Sequence, residues 1–125
     1  MKILVVDDVR MSQEIAKNSF EMEGHEVFTA SNGSEALSAV KICGPDIVFM
    51  DLYMPSMNGD ECCMKIKSDP AISHIPVVMM TSVDNEENVE RCRTAGCSDV
   101  IGKPFSHDAL MDTIKKNARN ISGSA

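Results

Sequence analysis

Asp46-Ile47-Val48-Phe49-Met50-Asp51-Leu52-Tyr53-Met54-Pro55 is the stretch whose reading decides the fold. Its apolar run, residues 47–50, is too short for a helix and long enough for a strand buried on both faces. The run stops at Asp51. A carboxylate in that position sits at the carboxyl edge of a sheet, where open α/β folds place their chemistry. Taken alone, Asp51 is equally consistent with tying down a loop backbone. What the other elements bring to the same edge decides between the two.

Upstream, residues 3–6 form another β-branched and leucine run that ends in acids, Asp7 and Asp8. From Met11 the period becomes helical, with Met11, Ile15, Ser19 and Met22 on one face, Ala16 and Phe20 beside them, and Gly24 as terminator. Residues 26–30 alternate around Val27 and Phe28 as a strand. Ser31 or Ser34 is the expected cap of a second helix carrying Ala36, Leu37 and Val40, which Gly44-Pro45 ends. Beyond Asp51, Asn58-Gly59 marks a turn, and a third helix runs through Cys63 and Ile66 to Asp69-Pro70.

Pro76 opens a fourth strand, residues 77–80, that delivers Thr81 and Ser82 to its end. Asp84 or Asn85 is the expected cap of helix four, with Glu86 and Glu87 in its first turn, Val89 and Cys92 facing inward and Gly96 closing it. Val100 and Ile101 make a brief fifth strand leading into Gly102-Lys103-Pro104-Phe105. Ser106 caps the last helix, whose apolar stripe is Leu110, Ile114, Ala118 and Ile121.

Strands alternating with helices predict an α/β fold: a doubly wound, five-stranded parallel sheet with five helices on both faces. The polar second strand belongs at an edge and strands one, three, four and five are expected to be buried, which order 2-1-3-4-5 satisfies. That order sets the ends of strands one and three side by side at the switch point. One domain is expected over residues 1–121, with 122–125 of tail or linker composition.

At 125 residues the chain can bury a core without metals or disulfides. Its ten methionines read first as core filler, with exposed ones near helix four available to a partner face. A formal charge of −7 argues against nucleic acid as a direct partner. Five cysteines without a paired C-x-x-C spacing read as small buried hydrophobes of a reducing compartment. The chain opens Met-Lys straight into a strand pattern, without a signal peptide, and no apolar run approaches membrane length, so the expected location is cytoplasmic. His25, His74 and His107 fall in loops or at a helix start and read as surface residues.

Asp7, Asp8 and Asp51 therefore converge on one sheet edge, where their mutual repulsion raises pKa values or demands a cation. Hard oxygen ligands with room for water suit Mg²⁺. Thr81 and Lys103 reach the same edge, and a cation, a hydroxyl and an ammonium around one carboxylate can neutralise the three oxygens of a phosphoryl group. Asp51 is then the nucleophile, forming an acyl phosphate. Each residue has a plain structural reading by itself: loop capping for the acids, core packing for Thr81, solvent exposure for Lys103. Five such coincidences at strand ends favour the joint reading.

The sequence resembles the receiver domain of two-component response regulators, of the chemotaxis CheY type, a flavodoxin-like fold. The resemblance covers residues 2 to 120 and rests on Val-Val-Asp-Asp at 5–8, Met-Asp-Leu-Tyr-Met-Pro at 50–55 with Asn58-Gly59, Thr81-Ser82, and Lys103-Pro104-Phe105. It implies that Asp51 accepts a phosphoryl group from a phosphohistidine on a sensor histidine kinase or phosphotransfer protein, and that the domain is a phosphoacceptor, not a turnover enzyme. It implies Mg²⁺ held by Asp8 and Asp51 directly, by Asp7 largely through water, and by the backbone carbonyl of Tyr53. Thr81 and Lys103 would contact the phosphoryl oxygens, and the Lys103-Pro104 bond would be cis. The face made by helix four, strand five and helix five would change shape for a downstream partner or output domain, with the chain a monomer or a weak homodimer through that face.

Family members often carry an aromatic residue three before the lysine; here that position is Val100. Valine cannot swing between buried and exposed states as a ring can, so an aromatic gate is not expected to follow Thr81. Phe105 is no substitute by position and reads as helix-five packing. Tyr53 and Val83, two residues beyond Asp51 and Thr81, are expected to hinder water and slow self-dephosphorylation.

Other readings fit less well. A haloacid-dehalogenase-like phosphatase wants a second acid two residues after its nucleophile, where this chain has Tyr53. A flavin or nucleotide module needs a phosphate-cradling loop after strand one, and residues 7–12 are acidic and lack glycine. The remaining alternative is a pseudo-receiver that keeps the fold and docks proteins without phosphorylation.

Overall fold

The computed structural model of the chain describes residues 1–82 and 86–122, with side chains through Asn117. Its strands are β1 (Lys2–Val6), β2 (Glu26–Ala30), β3 (Ile47–Asp51), β4 (Val77–Thr81) and β5 (Asp99–Gly102), all parallel in the order β2-β1-β3-β4-β5. The helices are α1 (Arg10–Met22), α2 (Gly33–Cys43), α3 (Gly59–Ser68), α4 (Glu86–Ala95) and α5 (His107–Ser122). The expected topology is the one observed.

Side chains alternate across the pleat, so each central strand feeds two apolar layers. Leu4, Val6, Val48, Met50, Val77 and Met79 pack against Ala36, Val40, Cys62, Cys63, Ile66 and Cys92 of α2, α3 and α4. Ile3, Val5, Ile47, Phe49, Val78 and Met80 pack the other way, against Ala16 and Phe20 of α1 and Leu110 and Ile114 of α5. Burial on both faces explains why these strands read as continuous apolar runs.

Several local expectations are corrected. Helix α1 buries Ala16 and Phe20, while Met11, Ile15 and Met22 are exposed. The small Ala16 lets the helix approach the sheet, and Phe20 packs on Phe49 at 4.8 Å between ring centres. The cap of α2 is Asn32, whose Oδ1 accepts from Glu35 N at 2.9 Å while the Glu35 carboxylate accepts from Ser31 N at 2.9 Å. This reciprocal arrangement outcompetes a serine cap. Strand β5 is a half-buried outer edge, since nothing pairs with its far side among the described residues. In α4 Cys92 faces inward as expected, joined by Asn88 and Ala95, while Val89 is only half-buried. The expected caps Asp84 and Asn85 lie outside the described residues, as do the side chains of Ala118 and Ile121 and residues 123–125.

Asn58-Gly59 is the start of α3 itself: Asn58 is its N-cap and Gly59 its first residue. Gly59 N donates to Leu52 O at 2.7 Å, and a Cβ at Gly59 would run into the Asp51 carbonyl. Only glycine lets α3 seat so closely on the end of β3.

Candidate functional site

Register assembles the site. Pairing of Val6 with Met50 carries Asp7, one residue further on, to the end of β3 beside Asp51. Pairing of Thr81 with Gly102 does the same for Lys103, whose N–H donates to Thr81 O at 2.9 Å. One carboxylate oxygen from each of Asp7, Asp8 and Asp51 lies within 4.8 Å of the others, a spacing suited to a single cation among the described residues.

The three acids are not equivalent. Asp7 is 1% exposed and both its oxygens are engaged: Oδ1 accepts from Val9 N at 2.9 Å and Oδ2 from Lys103 Nζ at 2.8 Å. Lys103 Nζ lies 3.4 Å from Asp51 Oδ2. Asp8 is exposed. Asp8, Asp51 and Lys103 line an open cavity of about 480 Å³ together with Val9, Ser12, Ile15, Tyr53, Ser82, Pro104 and Phe105. Asp7 and Thr81 are buried and are not part of its lining.

Burial pushes the Asp51 carboxyl up to about 6, opposed by the Lys103 charge and reinforced by Asp7 and Asp8. Burial also works against the Lys103 charge, but its bond to Asp7 and the fields of Asp51 and Asp7 outweigh that and hold the ammonium above its ordinary range. Three carboxylates served by one ammonium, with an open side, form a cluster of hard oxygens that fits Mg²⁺, which keeps several waters. The Lys103-Pro104 peptide is cis.

Sequence reasoning named the acids, Thr81 and Lys103, and the structure brings all of them to the same sheet edge. It missed the residues that hold them. Gln13 Nε2 donates to Asp7 O at 3.2 Å and to Ala30 O at 3.0 Å, clipping the ends of β1 and β2 from α1. Tyr53 is 44% exposed at the cavity, and its hydroxyl donates to Asn88 Oδ1 at 2.6 Å. Asn88 and Arg91 gave no sequence signal beyond being polar on a helix. Val83 lies outside the described residues. Phe105 both packs on the α1–α5 layer and lines the cavity, so its expected packing role is one of two.

The response regulator receiver domain model matches residues 3–115. The chain belongs to that family. It is 32% identical over 113 residues to the polar-differentiation response regulator DivK of Brucella anthropi, covering 90% of this chain and 92% of DivK. Response regulator PleD of Caulobacter vibrioides is 35% identical over 118 residues, or 94% of this chain, but the chain spans only 26% of PleD. Among solved structures, the chemotaxis protein CheY4 of Vibrio cholerae superposes with a TM-score of 0.88 at 27% identity, covering 92% of this chain and 96% of that one. This is therefore a receiver domain of two-component signalling, with the CheY-like fold. Among the described residues no helix is long and apolar enough to cross a membrane.

Proposed function

We propose that Asp51 is the phosphoacceptor of this receiver domain. The observation that carries the reading is a buried carboxylate with its pKa raised to about 6, open to a cavity between two further acids and 3.4 Å from the Lys103 ammonium. An Asp51 oxygen forms the bond to phosphorus while the bond from phosphorus to the donor imidazole nitrogen breaks. The imidazole leaves with that electron pair and takes a proton from solvent. Lys103 and Thr81 bind the phosphoryl oxygens, which requires Thr81 to turn from its buried position.

Asp8 and Asp51 would hold Mg²⁺ with the Tyr53 carbonyl, and Asp7, occupied by Lys103, would act through water. Mg²⁺ bound there supplies positive charge to the transferring oxygens. The donor is a sensor histidine kinase or phosphotransfer protein. Once formed, the acyl phosphate shifts the population of the α4–β5–α5 face toward a form that a downstream protein or output domain binds. The chain is a monomer or a weak homodimer through that face, and acts in the cytoplasm.

Incubation with acetyl phosphate, read by intact mass, tests this. Mg²⁺-dependent gain of one phosphoryl group, absent in Asp51→Asn, is expected. No gain with acetyl phosphate or with a phosphohistidine donor would favour the docking pseudo-receiver, the reading that Val100 supports.

A further inference from the structure

Tyr53, which lines the cavity, is joined to a polar cluster on α3 and α4 that phosphoryl transfer itself does not use. Arg91, on α4, donates from Nε and NH2 to the same oxygen of Asp60, Oδ2, at 3.1 and 3.0 Å. Asp60 is on the first turn of α3, where a negative charge is favoured by the helix N-terminus. The remaining arm of the guanidinium, NH1, donates to the Tyr53 hydroxyl at 2.9 Å, and the guanidinium carbon lies 5.2 Å from the Tyr53 ring centre. That is hydrogen-bond and cation–π contact from one side chain. The Tyr53 hydroxyl in turn donates to Asn88.

The ring so held belongs to the residue two positions beyond Asp51, and that residue lines the Asp51 cavity. The 44% exposure of Tyr53 leaves it free to swing away unless something fixes it. Asp60 orients Arg91, and Arg91 with Asn88 fixes the ring. Lysine could not do the same: it is a point charge without the planar fork that reaches Asp60 and Tyr53 together.

We propose that Arg91 is a positioning residue for the phosphoryl site, acting through Tyr53 to hold its ring beside the cavity and so lengthen the life of the acyl phosphate on Asp51. The proposal rests on the phosphoacceptor reading. Hydrolysis of that bond needs a water in line with phosphorus, on the open side of the cavity. A ring pinned there excludes it for more of the time than a ring that is free. The same tether makes the position of α4 a determinant of phosphoryl lifetime, so a partner that pulls on α4 changes hydrolysis without touching Asp51.

The test is a kinetic cycle on the full chain. Wild type, Arg91→Ala, Arg91→Lys, Tyr53→Ala and the Tyr53→Ala/Arg91→Ala double variant are phosphorylated with acetyl phosphate and Mg²⁺. The phosphodonor is then removed and loss of the phosphoryl group is followed by intact mass. Arg91→Ala is expected to lose it about threefold faster than wild type, the size of effect a partly exposed cation–π and hydrogen-bond pair allows. Arg91→Lys should not rescue, and uptake by the single Arg91 variants should be unchanged. In the Tyr53→Ala background the Arg91 substitution should have no further effect.

Tyr53 is the only tyrosine and there is no tryptophan, so intrinsic emission reports this ring alone. Its anisotropy should fall in Arg91→Ala before any phosphorylation. Equal decay rates in wild type and Arg91→Ala, or an Arg91 effect that persists without the ring, or unchanged anisotropy would overturn the proposal. A wild-type chain that takes up no phosphoryl group would overturn the phosphoacceptor reading and this one with it, an outcome distinct from uptake with equal decay.

Discussion

Residues 47–50 and residue 51 are neighbours on one strand, yet they are built on opposite principles. Phe49 and Met50 are fully buried among apolar side chains on both faces of the sheet. One residue later, Asp51 is also buried, but its neighbours are two acids and a lysine, and burial makes its charge costly. The strand interior gains from exclusion of water, while the rim gives up stability to hold an ionisable oxygen beside an open cavity. The apolar layers thus supply the stability that the rim gives up.

Breaking the interior should have the largest effect. Phe49→Ala removes a ring packed on Phe20 and is expected to cost about 3–5 kcal/mol in urea unfolding. Gly59→Ala attacks the junction between the two regions, because its methyl group meets the Asp51 carbonyl. A loss of about 1–3 kcal/mol is expected from that overpacking, together with slower phosphoryl uptake as the end of β3 is displaced. Binding of Mg²⁺ at the rim should act in the opposite direction, by relieving the repulsion among the acids. At ten times its Kd the cation should raise wild-type stability by about 1.4 kcal/mol, reversed by chelation, with a smaller gain in Asp51→Asn. The smallest effect belongs to the exposed pair Arg93–Glu90, at 3.2 Å, where Arg93→Ala should change stability by less than about 0.5 kcal/mol.

The same contrast explains what was legible in the sequence. Strand order followed from continuous apolar runs and one alternating strand, because burial on both faces leaves a pattern that needs no partner to be read. The acids, Thr81 and Lys103 were legible because each follows directly on a strand, and strand ends meet in a parallel sheet. The face of α1 was misread because Met11, Ile15 and Met22 fit a helical stripe as well as Ala16 and Phe20 do, and only the Phe20–Phe49 contact decides between them. The Asn32–Glu35 cap and the Asp60–Arg91–Tyr53–Asn88 cluster were out of reach for another reason. Polar side chains at helix starts and on helix faces have many possible partners, and tertiary distance alone selects among them.

Asp51 is held at a cost in stability, and the stability of the apoprotein measures that cost directly. Its folded pKa of about 6 stands above the ordinary carboxylate value of 3.8, so the folded state binds the proton more tightly than the unfolded one. Stability from this group is then fully present below about pH 3.8, declines as pH rises and is lost above about pH 6. Urea unfolding of wild type and Asp51→Asn in chelator, from neutral pH down toward pH 4, should show the variant more stable by about 1–3 kcal/mol at neutral pH. The gap should narrow below pH 6 and nearly close by pH 4. A variant less stable than wild type at neutral pH, or a gap independent of pH, would show that burying the Asp51 charge carries no such cost.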